Sequence, residues 1–162
     1  MAVIAHAEIK AALPAGGRLL GLDVGDKTIG LAISDSGLAV ASPIETITRG
    51  KFAADGARLF KLIDERGVGG LIIGLPVNMD GSEGPRCQSV RQFARNLLAL
   101  RDLPVAFWDE RLSTAAVERA MIEADLSRQR RAKSVDMMAA AYILQGAIDA
   151  ITRTTAPGSR LT

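Results

Sequence analysis

Acidic side chains interrupt three apolar segments of this chain. Asp23 ends the run Leu19–Leu22, Asp109 and Glu110 close Val105–Trp108, and Asp136 stands at the start of the apolar segment 135–148. Desolvating an unpaired carboxylate costs several kcal/mol in order of magnitude, so acids at such positions need a partner. A hard divalent cation is one. Mg²⁺ favours carboxylate oxygens and keeps several waters that substrate phosphates can replace. Carboxylates holding one or two such ions, the pair about 3.5–4 Å apart, are the equipment for hydrolysing phosphodiesters. Asp23, one of the adjacent pair Asp109 and Glu110, and Asp136 are therefore the candidate catalytic and metal-binding residues, with Mg²⁺ or Mn²⁺ as cofactor.

Each acid also has an ordinary explanation. Asp136 can favour the positive end of a helix, Asp23 can form the turn beside Gly25, and Asp109 or Glu110 can pair with Arg111. Asp26, Asp35, Asp80 and Glu83 read as solvated loop residues. Other chemistries lack residues to build them. The single histidine, His6, stands near the N-terminus, and the single cysteine, Cys87, lies in a loop or helix start. Nucleophilic triads and zinc sites are thereby excluded.

Positive charge is concentrated. The net charge of +2 is unremarkable, but the run RQRRAK from Arg128 to Lys133 leads directly to Asp136. Lysines and arginines that neutralise backbone phosphates add sequence-independent, salt-sensitive affinity. Arg128, Arg130, Arg131 and Lys133 are candidates for that role, with Arg111 and Arg119 beside them. Asn78 and Asp80 follow the fourth strand, where they can line a substrate groove. Phe107 and Trp108 read as core, since aromatic strand residues are more often buried than used for stacking on bases.

The elements that must position these residues follow from periodicity. Arg18–Ser34 contains two apolar runs around Gly25-Asp26-Lys27 and predicts a hairpin; Val40–Thr48, broken by Pro43, predicts a third strand. Phe52, Leu59, Phe60 and Ile63 predict a helix that Gly67 stops. Val68–Leu75 is apolar throughout, as in a strand covered on both faces. A loop over 78–84, a helix through Val90–Leu98 and a strand at Val105–Trp108 follow. Ser113 or Thr114 can cap a helix carrying Ala116, Val117, Ala120, Met121 and Ala124, and 135–148 predicts a final helix packed into the body.

The expectation is an α/β protein with a mixed five-stranded sheet, three antiparallel strands then parallel ones, and helices on both faces. If the first and fifth strands flank the fourth in parallel, their acids meet at one edge. Residues 1–17 are expected to be a loose extension, 18–152 one domain, and 153–162 a flexible tail. At 162 residues and 48% hydrophobic, the chain has the length and composition of one globular domain. One cysteine suits the cytoplasm, and the longest uncharged runs, 67–79 and 137–148, fall short of the roughly 18 residues of a membrane span.

Four blocks in order, GLDVGDKTIGLAISD, GLPVNMDGSEGPR, WDERLST and KSVDMMAAAYILQG, are similar to those of the YqgF family, also called RuvX. The resemblance covers about Arg18–Ile151. It implies an RNase H-like fold, a metal-dependent nuclease, a cytoplasmic setting, and a role in maturing the 5′ end of 16S rRNA on the pre-ribosomal particle. Carried onto matching positions, the family's acids are Asp23, Glu110 and Asp136. Lys27 and Asn78, within the matching blocks, join the nucleic-acid-binding candidates. Related junction resolvases carry a further acid at the end of the fourth strand, where this chain has Leu75-Pro76. Cleavage of branched DNA is the alternative activity, and symmetric cutting of a four-way junction would require a homodimer. A non-catalytic nucleic-acid-binding factor is a third reading, against which the three acids speak. DVGDKTIG also looks like the phosphate-binding hairpin of sugar kinases and actin-like ATPases, which need two such domains; 162 residues supply one.

Overall fold

A computed structural model of the chain describes residues 3–112 and 128–155, with side chains described at 3–112 and 136–152. The elements are α1 (His6–Ala12), β1 (Arg18–Val24), β2 (Thr28–Ser34), β3 (Ala41–Thr48), α2 (Phe52–Arg66), β4 (Val68–Leu75), α3 (Pro85–Leu100), β5 (Val105–Asp109), a 3₁₀ turn (Glu110–Leu112) and α4 (Arg128–Thr155). The predicted cap at Ser113 or Thr114 and the helix after it lie outside the described residues.

The five strands form one sheet in the order β3-β2-β1-β4-β5. β1 and β3 are antiparallel to β2, and β1, β4 and β5 are mutually parallel. This is the expected mixed sheet. Its central strands pair on both edges and carry apolar residues toward both faces, which places them between two layers of helix.

Side chains alternate between faces along a strand, and the two cores follow that alternation. Leu20, Leu22, Leu31, Leu71, Ile73 and Val105 join Leu59, Ile63, Phe93 and Leu97 under α2 and α3. Leu19, Ala32, Ile72, Ala106 and Trp108 face the other way, against Ala140, Ile143, Leu144 and Ala147 of α4. Asp23 stands two residues after Gly21 and four after Leu19, so it belongs to the α4 side.

Helix limits have local causes. Gly67 takes the left-handed conformation, φ 67°, and its N–H donates to the Ile63 carbonyl, terminating α2 where sequence reasoning put the stop. α3 starts at Pro85, five residues before the periodic apolar positions begin, because proline suits the first helical position. Two expectations change. The first 17 residues contain a docked helix: Ile9 of α1 is fully buried in the α4-side core, His6 stands edge-on to the Trp108 ring, and the Ile4 N–H donates to the Val105 carbonyl. A seven-residue helix offers too little periodicity to read, although Ile9 is its signal. The final helix is longer at both ends than the predicted 135–148: α4 includes Arg128–Lys133 and continues to Thr155, into the expected tail.

Candidate active site

The C-terminal ends of β1, β4 and β5 lie at one edge of the sheet because the three strands run parallel. β3 ends there too, since it is antiparallel to β2, which is antiparallel to β1. The acids of β1 and of the turn after β5 therefore share an edge for topological reasons. Asp23 is 7% exposed.

The surroundings of Asp23 follow from register. It pairs with Gly30 of β2. On its other side, Leu22 pairs with Ile73, so the next step along parallel β4 is Gly74, which itself pairs with Trp108. A row of Gly30, Asp23, Gly74 and Trp108 thus crosses the α4-facing side of the sheet, with glycine on both sides of the acid.

Both glycines make room for another acid. A Cβ at Gly30 would lie 2.0 Å from the Asp136 carbonyl oxygen and 2.3 Å from its carbon. The missing side chain lets α4 rest on β2 at Asp136. A Cβ at Gly74 would meet the Ile143 Cδ1 at 2.5 Å and the Glu110 Oε2 at 3.2 Å. Its absence leaves space at the strand end for the Glu110 carboxylate. Thr28, two residues before Gly30 on the same face of β2, donates its hydroxyl to the Asp136 Oδ2. One carboxylate oxygen of Asp136 is thereby oriented by the sheet. Its position eight residues inside α4 also removes the explanation that it favours a helix N-terminus.

Asp109 and Glu110, adjacent in sequence, are used differently. The Asp109 carboxylate accepts hydrogen bonds from the Arg111 side chain, the shortest 2.7 Å, and from the Arg111 backbone N–H at 2.9 Å. The Arg111 guanidinium holds the Asp109 carboxyl below the usual carboxylate range. The same guanidinium reaches the Met79 carbonyl at 3.3 Å, tying the loop after β4 to the end of β5. Asp109 is the strand-end ion pair, and Glu110 is the acid next to the Asp23 row.

The other candidates are spread along this edge. Lys27 is exposed at the β1–β2 turn. Asn78 is exposed in the loop after β4, where its N–H bonds the Ser82 carbonyl and its side-chain amide donates to the Ser82 hydroxyl. Asp80 accepts from the Ser82 hydroxyl and N–H, which keeps its carboxyl below the ordinary value. This loop is internally hydrogen-bonded. Arg128, Arg130, Arg131 and Lys133 belong to the first turns of α4, and their side chains lie outside those described. Arg119 also lies outside the described residues.

Among the described residues, no three carboxylate, imidazole or thiol groups are gathered closely enough to form a preformed metal cage. The edge does fit a hard divalent cation in its donor chemistry. Three carboxylates are brought to it by β1, the turn after β5 and α4, and the two glycines let α4 pack close enough to the sheet to bring Asp136 there. Sequence reasoning missed Thr28, Gly30 and Gly74. A glycine inside a strand signals close approach of another backbone or a ligand, and GLDVGDKTIG and IIGLP each contain one, but the sequence does not say what approaches.

Two solved structures of RuvC from T. thermophilus share the architecture. One, in complex with a Holliday junction substrate, aligns with a TM-score of 0.54 at 11% identity over 86% of this chain and 96% of that one. The other aligns with a TM-score of 0.51 at 14% identity over 82% and 95%. The fold is thus RNase H-like: a mixed five-stranded sheet with helices on both faces. Residues 17–150 match the RuvX family, described as Holliday junction resolvase, and the chain belongs to that family. Similar chains include one from Paramagnetospirillum magneticum, 61% identical over 92% of this chain and 96% of its own length. Another, from Rhodospirillum rubrum, is 64% identical over 88% and 89%. Both bear the name "Putative pre-16S rRNA nuclease".

Proposed function

We propose that this protein is a metal-dependent endonuclease that processes the 5′ end of pre-16S rRNA during ribosome assembly. The observation that carries the reading is the glycine-flanked Asp23, with Glu110 beside one glycine and Asp136 on the other. The names of the relatives support the choice of RNA. Asp23, Glu110 and Asp136 would hold Mg²⁺ or Mn²⁺. The ion would supply Lewis acidity at the scissile phosphate and an activated water.

The chain's own residues do the rest. Thr28 fixes one oxygen of Asp136, so the carboxylate is aimed before substrate arrives. Trp108 and Ile143 bury the α4 side of the row and restrict water there. Lys27 and Asn78 at the edge, with Arg128, Arg130, Arg131 and Lys133 on α4, would grip the RNA backbone. Arg111 contributes through the loop it anchors. The setting is the cytoplasm and the partner a pre-ribosomal particle. A single cysteine, buried Cys87, supports a reducing compartment, and among the described residues no helix is long and apolar enough to cross a membrane.

The test is cleavage of a pre-16S 5′-leader RNA and of a four-way DNA junction, each with Mg²⁺, Mn²⁺ or EDTA, by the protein and its Asp23→Asn variant. The expected result is metal-dependent cutting of the RNA that the substitution abolishes. Cutting of the junction alone would overturn the RNA assignment, and binding of both without cutting would overturn the enzymatic one.

A further inference from the structure

Across the sheet from α4, a groove of about 430 Å³ opens at the same edge, between the β1–β2 turn, the start of α2 and the exposed side of α3. Its walls include Arg49, Ser89, Gln92, Phe93 and Asn96, with Asp26 at the turn. Arg49 follows the last residue of β3, so the topology sets it at the edge that carries Asp23.

Arg49 is held in place without being neutralised. Its backbone N–H donates to the Lys27 carbonyl at 2.8 Å, and its Nη1 donates to the Gly25 carbonyl at 2.6 Å. Its guanidinium carbon lies 5.3 Å over the centroid of the Phe93 ring. Both hydrogen bonds reach the turn that begins two residues after Asp23. By contrast, Arg58, Arg91, Arg101 and Arg111 each pair with a carboxylate. Arg49 has no carboxylate partner among the described residues. Nearby Asp55 accepts from the Gly50 N–H with both oxygens, and Asp26, the carboxylate at the groove's rim, is exposed to solvent.

A guanidinium has five N–H donors in a rigid fork, and Arg49 uses one on a neutral carbonyl. Stacked on an aromatic ring, it loses little conformational freedom when it binds an anion. Along α3 the groove offers neutral hydrogen-bonding groups, the Ser89 hydroxyl and the Gln92–Asn96 amide pair. That combination suits a phosphodiester flanked by sugar hydroxyls.

We propose that Arg49 clamps a backbone phosphate of the RNA strand whose scissile bond lies at Asp23, the groove along α3 receiving the flanking nucleotides. The occupant rests on the nuclease reading above. The groove would lead the strand past the β1–β2 turn, away from the basic start of α4, so the RNA would be held on both sides of the sheet.

The experiment measures binding of the 5′-leader RNA by fluorescence anisotropy over a series of KCl concentrations, with EDTA present and Asp23→Asn as the non-cleaving parent. Adding Arg49→Ala should weaken binding and reduce the slope of log K against log [KCl] by about 0.7, the value for one phosphate contact on a single strand. Arg49→Lys should keep the slope while lowering affinity, because a point charge replaces the fork. Gln92→Glu places a like charge in the groove from an exposed helix position and should weaken binding whether or not Arg49→Ala folds; melting curves establish which variants are native. Unchanged affinity and slope in Arg49→Ala, or unchanged binding in Gln92→Glu, would overturn the groove while leaving the nuclease reading intact. A parent that binds junction DNA but not the leader RNA would overturn the RNA occupant together with that reading.

Discussion

Replacing Gly30 with alanine inserts one methyl group where β2 and α4 meet. The new Cβ would lie 2.0 Å from the Asp136 oxygen, 2.3 Å from its carbonyl carbon and 2.8 Å from the Met137 nitrogen. All three are backbone atoms, so no side chain can rotate away. Restoring ordinary contact at about 3.4 Å requires the helix to retreat by roughly 1.4 Å at Asp136. One to two turns further on it is again close to the sheet, where a Cβ at Gly21 would meet the Leu144 Cβ at 2.7 Å and the Ala140 oxygen at 3.0 Å. The helix must therefore tilt at its Asp136 end. Overpacking of this kind costs about 1–3 kcal/mol, which with a urea m-value of about 1–3 kcal/mol/M lowers the unfolding midpoint by about 1 M. A displacement of about 1 Å in a catalytic group costs on the order of 100-fold in rate. The assay pairs urea unfolding with single-turnover cleavage, and Gly74→Ala is the internal comparison. Its nearest obstacle is the far end of the Ile143 side chain at 2.5 Å, so it should destabilise less. A Gly30→Ala protein with a wild-type midpoint and a rate within about twofold of wild type would refute the argument that this contact sets the position of Asp136.

Three further substitutions probe other parts of the account. Thr28→Val keeps the side-chain shape but removes the hydroxyl that bonds Asp136; Mn²⁺ affinity, read by calorimetry, should fall about 10- to 100-fold and recover in Thr28→Ser, and unchanged affinity in Thr28→Val would show that the hydrogen bond does not orient the acid. Arg111→Gln should return the Asp109 carboxyl toward its ordinary value of 3.8. A carboxylate held low in the fold stabilises it above the unfolded-state value, and that contribution is lost as pH falls through the folded value. The melting-temperature gap between wild type and Arg111→Gln should thus be full at neutral pH and close as pH drops below about 4; a pH-independent gap would contradict the assignment. Ile9→Ala should cost about 2–5 kcal/mol, as for a buried aliphatic side chain, because α1 belongs to the α4-side core; a change near zero would mean that α1 does not support the fold in solution.

The strands were legible because each carries a period or an uninterrupted apolar run, and the parallel order of β1, β4 and β5 brought Asp23 and Glu110 to one edge as the strand-end reasoning required. Pattern alone could not separate Asp109 and Glu110 in WDERL, since both follow the same apolar run; the family resemblance selected Glu110, and the three-dimensional path of Arg111 shows that Asp109 is the one it pairs. The glycines were visible, yet their purpose was not, since a strand glycine reports that something comes close without naming it. Gly30 and Asp136 are more than a hundred residues apart, and their contact arises from the way α4 crosses β2. α1 escaped notice for a related reason. Its stability comes from Ile9 entering a core built by distant segments, and a seven-residue amphipathic stretch carries little signal of its own.

The most direct test of the central claim is the binding of Mn²⁺ to the full chain, measured by calorimetry for the wild type and for Asp23→Asn, Glu110→Gln and Asp136→Asn, with circular dichroism spectra to show that each variant is folded. If the three acids form one centre, the wild type binds the ion and each substitution lowers affinity by more than the roughly 10- to 100-fold expected for loss of an outer hydrogen bond. Wild-type affinity in any one of the three folded variants would remove that acid from the centre, and wild-type affinity in all three would contradict the account.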